Sequence, residues 1–503
     1  MLAPPEPAAL DAVKAWLAAE PDDDPEADLG ALRTHYAVLR NPGVPAGEFR
    51  SCLALMDVRA LDICERFRIR LLDASLPLPR ALRVPAEALI DALLDLASGL
   101  ERLVEEGRGR WARALHADIV PLARRALRLA AEAHLLASMI GAAAPAGFWL
   151  RVLALLGSSA SVDADDEHHR EVRGEAARIF ALAVLQPESL TGRELLWVRE
   201  FLELAQVAAE ISHEAPEGDG AAFWLDPTRD APPVATVRRA PPAVPELVHF
   251  SARGLALHAA ARMEWLEERI AQAEVVGLER DAELLEPDTS GLPAGLPPVE
   301  ALNLLRRMTQ RWAEAPQREQ PRLDKAYSVQ VCAGLRAIWE MFRHGEERAR
   351  IAQWAVRNES PGGYAIMSVS GVQGMLSAGM VLALRADAGK PWSICVVRWI
   401  RTESAEQVEL GLQVVGTGGS SASVGFRGAD TVKTMAPALI LQPLEGVRTK
   451  PAIVVKTGSY SSRRFVLVDD ADHLYVAQGR VISLDMQTAN IEMFQYEIDP
   501  YPT

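Results

Sequence analysis

At 503 residues the chain has room for two to four domains that each bury a core. Its net charge of −15 is unevenly spread: 30 Lys and Arg stand against 48 Asp and Glu before residue 301, and 23 against 20 from there on. A first part at −18 argues against nucleic acid polymers and anionic membranes as partners there, because phosphate contact needs a local excess of Lys and Arg.

The opening residues, MLAPPEPAALDAVKAW, carry Pro and Glu where a signal peptide has a basic region and an apolar core, so a cytoplasmic location is expected. Residues 1 to about 215 read as helical. Leu89, Leu93, Leu96, Leu100 and Leu103 recur at spacings of four and three and predict a helix with one buried face. The apolar run 135–150 is broken by Pro145 and is shorter than the roughly 20 residues a membrane-spanning helix needs, so it reads as core and no membrane span is expected. The acidic stretch DADDEHHRE, 163–171, holds His168 and His169, but adjacent histidines point in different directions; a solvated loop is expected and no metal site.

A helix over 193–211 follows, and another over 249–276 whose Leu255, Ala259, Met263, Leu266 and Ile270 share a side. Between them the Pro density of 214–246 predicts a strap without regular elements. A last helix, ALNLLRRMTQRWAEA, begins at residue 301, and period-two alternation with Gly punctuation takes over after it. WSICVVRWI (392–400), VELGLQVV (408–415) and later short runs such as AIVV and IEMFQYEI read as strands of two small barrels. The Gly/Ser tract 415–425 reads as the linker or hairpin loop between them. Trp354, Trp392 and Trp399 are expected to anchor cores. The four cysteines are far apart and are expected to be reduced thiols. The expected fold is α+β and multidomain: a helical domain over 1–300, a first barrel over 301–416 and a second over 417–503.

Two short patterns carry chemistry. Arg318 and Arg322, with three residues between them, precede a candidate strand; Asn358, Ser360 and Gly363 then form Asn-x-Ser-x-x-Gly at the entry to another. That pair of patterns, followed by the Gly-led strand 379–385, VVRWI with Trp399 and ELGLQVV with Gly411, resembles the PilZ domain over residues 318–416. A helix inserted at 334–350 separates the two half-motifs more widely than is usual in that family. The resemblance implies a barrel that binds cyclic di-GMP. Arg318 and Arg322 would clamp a guanine edge and a phosphate bidentately, as planar guanidinium groups do. Asn358 and Ser360 would reach a phosphate or guanine amide, Gly363 would allow close approach, and Arg357 would supplement the phosphate contact. Arg307 and Arg311 form a second Arg-x-x-x-Arg, on an amphipathic helix, and are the alternative clamp.

No Ser-His-Asp order, P-loop, metalloprotease helix or GxGxxG is present, so no catalytic residue and no cofactor is expected beyond the ligand. The expectation is a cyclic di-GMP receptor that passes binding to the helical domain or to an unidentified protein partner. The alternatives are a PilZ-like adaptor that binds no ligand, and an enzyme with its site in the helical part.

Overall fold

The computed structural model describes residues 7–500 except 109–112, 160–166, 206–208, 217–221, 277–289, 315–320, 369–373, 405, 427–433, 461 and 470–473. Helices α1 (Pro7–Ala18), α2 (Pro25–Leu39), α3 (Ala46–Arg68), α4 (Arg80–Arg108), α5 (Arg113–Met139), α6 (Phe148–Ser159), α7 (Glu167–Val184) and α8 (Gly192–Leu204) come first. The leucine stripe 89–103 lies on α4 and is buried throughout, largely against α5. Each such leucine stabilises the fold by about 2 kcal/mol. Helix α8 starts in a capping box: Thr191 Oγ1 accepts from Glu194 N–H at 3.3 Å, and Glu194 Oε2 accepts from Thr191 N–H at 2.9 Å. No helix among the described residues is long and apolar enough to cross a membrane.

The helical part is not all helical. Strands β1 (Glu210–Ser212), β2 (Ala222–Leu225), β3 (Val234–Ala235) and β4 (Val248–Ser251) form a sheet in the order β1-β4-β2-β3, within and beside the segment expected to hold no regular element. The prolines occupy its connections, while the buried Phe223 and Leu225 join the helical core. The acidic stretch is also partly helix, since α7 starts at Glu167 and His169 is buried.

After α9 (Arg253–Val276), helix α10 (Pro298–Ala313) returns to the helical core with Leu304, Leu305, Met308 and Trp312; the Trp312 indole donates to Ala181 O at 3.0 Å. Residue 301 therefore lies inside a helical-core element, and we propose domain boundaries of about 7–314, 323–417 and 420–498.

The first barrel comprises β5 (Leu323–Ala333), β6 (Ile351–Ser360), β7 (Gly363–Ser368), β8 (Val381–Arg385), β9 (Ser393–Thr402) and β10 (Val408–Thr417), closed in the order β10-β7-β6-β5-β8-β9. The second comprises β11 (Ser420–Phe426), β12 (Ala436–Leu441), β13 (Ala452–Lys456), β14 (Arg464–Asp469), β15 (Tyr475–Gln487) and β16 (Ile491–Ile498), closed as β11-β12-β13-β16-β15-β14. The Gly/Ser tract is not a linker. It supplies the end of β10 and most of β11, and only Gly418, at φ +70°, and Gly419 turn between the barrels.

The inserted helix is α11 (Leu335–His344), wedged between the barrels. Its Ile338 and Met341 share one apolar cluster with Val381, Ala383, Ile394 and Val396 of the first barrel and Leu439, Leu441, Val454 and Met493 of the second. The helical domain is joined to the first barrel by hydrogen bonds. Leu76 and Leu376 exchange backbone bonds at 2.8 and 3.1 Å, Thr402 bonds Ile140 O and Gly141 O, and the buried Arg83 guanidinium donates to Thr402 Oγ1 at 2.9 Å.

One helical-core group makes stability depend on pH. His134 of α5 is buried with neither ring nitrogen bonded, stacked on Phe148 at 4.8 Å, and burial lowers its pKa from 6.5 to about 4. Between these two values an unfolded His134 binds a proton that the folded one refuses, so stability is full above pH 6.5 and falls as pH drops toward 4, by up to about 3 kcal/mol. Urea unfolding at pH 7.5 and 4.5 should show a smaller acid loss in His134→Leu than in the wild type; equal losses would assign the acid sensitivity elsewhere.

Candidate functional site

The β5–β6 ladder brings the chain at Arg322 alongside the Asn-x-Ser-x-x-Gly pattern. Leu323 pairs with Glu359 and Asp324 with Asn358, so the chain just ahead of β5 runs past the end of β6. Arg322 is therefore placed beside Ser360, and it is exposed. Arg318 lies outside the described residues. Arg307 and Arg311 are elsewhere: on α10, Arg307 pairs with Glu194, and Arg311 donates to Leu185 O and to Gln186 Oε1, the latter at 3.2 Å.

A β-bulge sets which side chains face outward. Val356 pairs with Ile366, both inside the barrel, yet the next register pair is Asn358 with Ala365, leaving Arg357 as the extra, exposed residue. Ala365 pairs in turn with Gly411, and Gly411 with Trp399. One row thus crosses the wall from β5 to β9: Asp324, Asn358, Ala365, Gly411, Trp399. At about 4.8 Å per strand, Asn358 and Trp399 are roughly 14 Å apart with only an alanine and a glycine between them.

Each end of this row is chemically distinct. Asn358 is partly buried, and its side-chain oxygen has no hydrogen-bond partner. Such an orphan costs about 1–3 kcal/mol, which a ligand N–H would recover. Ser360 Oγ donates to Gly363 O at 3.4 Å across the β6–β7 turn. On the other side of β6, Glu359 accepts from the Tyr327 hydroxyl at 2.5 Å, and burial together with that carboxylate raises the phenol's pKa. At the far end the half-buried Trp399 indole lies across Gly411, where a Cβ would sit 1.9 Å from it, and the Arg401 guanidinium is 5.0 Å from its ring centroid.

Trp399 is thus not the core anchor expected for it, whereas Trp354 and Trp392 are buried. Alternation misleads here because a second bulge, opposite Gly411 and Leu412, makes Arg398 the extra residue of β9 and turns Trp399 outward. The run VVRWIR carries the signal, since two adjacent valines followed by Arg-Trp cannot fit one alternation. Gly363 also serves the backbone: a Cβ there would meet Leu412 O of β10 at 2.1 Å, so glycine is what lets β7 approach β10. No group of three or more His, Cys, Asp or Glu able to hold a metal is present among the described residues.

The wall can accept hydrogen bonds at Asn358, offer a guanidinium donor from the β5 side, and carries at the β9 end an indole with the Arg401 guanidinium over its ring. Against known proteins, residues 11–217 match the family described as the N-terminal domain of the cyclic-di-GMP receptor FimW, and residues 340–420 match that described as its middle PilZ domain. The latter span includes Asn358, Ser360, Gly363, Trp399 and Gly411 and begins after Arg318 and Arg322. A 99-residue stretch is 29% identical to the cyclic-di-GMP receptor FimW of Pseudomonas aeruginosa, covering 20% of this chain and 16% of the relative's length. No solved structure matches.

The two glycines should respond differently to alanine. Gly363→Ala meets backbone on a neighbouring strand, cannot be relieved by a rotamer change and should disrupt the first barrel. Gly411→Ala meets the Trp399 side chain first and should cost about 1–3 kcal/mol, most of it regained in Gly411→Ala/Trp399→Ala. Urea unfolding of the set checks this, and full additivity of the last pair would refute the contact.

Proposed function

For a chain that carries a PilZ domain at residues 340–420, we propose the role of a cyclic di-GMP receptor whose ligand lies on the outer wall of the first barrel. The observation that carries this reading is the unpartnered side-chain oxygen of Asn358, held by the ladder beside the segment that bears Arg322. Guanine offers amino and imino N–H donors to such an oxygen and O6 and N7 acceptors to a guanidinium, so one base satisfies both. Arg322 and Arg318 supply the bidentate clamp for a guanine edge and a phosphate, Ser360 and Arg357 add phosphate contacts, and Gly363 keeps the turn against β10. Trp399 offers a second base a face to stack on, as aromatic groups do for unstacked nucleobases.

The protein acts by binding rather than by catalysis, in the cytoplasm. Its output passes through the helical domain or a protein partner that contacts it, since ligand on the wall favours one domain arrangement by its differential affinity for the two. The adaptor reading has one observation behind it: the apolar cluster shared by α11 and both barrels gives the C-terminal half a scaffold that needs no ligand.

Equilibrium binding of labelled cyclic di-GMP is the deciding experiment. Arg322→Ala and Asn358→Leu should each weaken binding by about 10- to 100-fold, the loss of one or two charge-assisted or buried hydrogen bonds. Their thermal transitions without ligand should stay near the wild type's. No binding by the wild-type protein would leave the adaptor reading.

A further inference from the structure

The indole at the β9 end of the outer row is not bare. Trp399 lies across Gly411, so β10 closes one side of its ring, and the guanidinium carbon of Arg401 stands 5.0 Å from the ring centroid. Both side chains leave the same side of β9, since Ile400 between them belongs to the barrel's apolar core. A base that stacks on Trp399 therefore meets Arg401 first.

Arg401 is also held from another direction. Among the described residues it makes no ion pair with Glu409, its register partner on β10; the guanidinium instead crosses the seam and donates to Glu188 of the helical domain at 2.9 Å. Glu188 is the middle residue of the 3₁₀ turn Pro187–Ser189, which packs on β9. The two side chains are 55% and 26% exposed, and an ion pair so open to water is weak enough for its arginine to exchange partners.

A guanidinium set on an indole at the edge of a nucleotide wall has the chemistry of a ligand group: it can lie flat on a purine, or bind a phosphate or guanine O6 and N7 bidentately. We propose that Arg401 is a further ligand residue, which leaves Glu188 and closes over a guanine stacked on Trp399, and that Glu188 competes with the ligand for it. This rests on the cyclic di-GMP reading and adds to it a residue that ties the wall to the helical domain. Once Arg401 turns to the ligand, Glu188 has lost its cation and lies beside an anionic ligand, so the turn 187–189 is held less firmly on β9. The hydrogen bonds at Leu76 and Thr402 remain. Ligand binding is thereby coupled to the seam with a defined sign: it loosens the contact between the turn and β9.

The test is equilibrium binding of labelled cyclic di-GMP to the full chain and four variants. Arg401→Gln should bind about 10-fold more weakly, and Arg401→Lys, which keeps the charge without the planar fork, should fall between it and the wild type. Glu188→Gln should bind about 2- to 5-fold more tightly, the range that loss of one exposed ion pair allows. In Arg401→Gln/Glu188→Gln that gain should vanish, because Glu188 acts through Arg401. Thermal transitions without ligand should stay near the wild type's. Saturating ligand should speed hydrogen exchange at the Ser189 and Leu190 amides, which bond Gln186 O and Pro187 O in the turn, and unchanged exchange there would refute the loosening. If the wild type binds and Arg401→Gln binds equally well, Arg401 is refuted as a ligand residue while the receptor reading stands. If Glu188→Gln gains as much with Arg401 replaced as with it present, the competition is refuted and the gain is one of overall charge. If the wild type binds no cyclic di-GMP, the receptor reading fails and this proposal with it.

Discussion

A closed barrel with a filled interior leaves its outer wall and its two ends as the surfaces a ligand can reach. In the first barrel each strand is paired on both sides, so no edge is free to accept a strand, and the interior is filled by Val329, Val331, Trp354, Val356, Ile366, Leu382, Leu384, Val397 and Leu410. The wall itself is already divided. Parts of β5, β8 and β9 pack on α11 and the second barrel through Val381, Ala383, Ile394 and Val396, and the end of β9 meets the helical domain at Thr402. The rest of the wall is open in part: Ala352, Gln353 and Arg357 of β6 are exposed, whereas Ala365 and Gly411 of the Asn358 row are covered.

The same division explains why an event on that wall reaches the rest of the molecule. The loop before β8 is held from both sides. Leu76 of the helical domain pairs with Leu376, while the second barrel's Asn490 donates to Ala378 O at 2.8 Å and its Thr488 hydroxyl to Gly379 O at 2.7 Å. Arg83 adds a buried charge whose Nε donates to Glu87 on its own helix and whose two terminal nitrogens find their acceptors across the seam, at Thr402 and Glu403. Buried polar groups satisfied by a partner domain cost several kcal/mol to separate, since parting leaves them unpaired unless water enters. The three bodies therefore move, if they move, by exchanging one satisfied arrangement for another.

Small residues and bulges do the fine positioning. Gly363 and Gly411 permit close approach at two places on one wall, the first by backbone and the second by an indole. The bulges at Arg357 and Arg398 each turn the following residue, Asn358 and Trp399, onto the outer row. A strand without them would send every second residue inward and would bury an amide and an indole in a barrel already full.

The sequence by itself determined the division into a helical part and two runs of short strands, and the presence of an inserted helix within 334–350. These are local properties, set by hydrophobic period and by the spacing of a few residues, and they survive in one dimension. Only the tertiary structure decided that 222–225 and 234–235 are strands, that the Gly/Ser tract is strand on both sides of a two-residue turn, and that α10 belongs to the helical core. It alone placed Trp399 on the outer wall. Each of these depends on a neighbour from another element: a register pair such as Gly411 with Trp399, or a carbonyl such as Leu412 O beside Gly363. Side-chain period says that a face exists; which face meets which is settled when the strands pair and the domains close on one another.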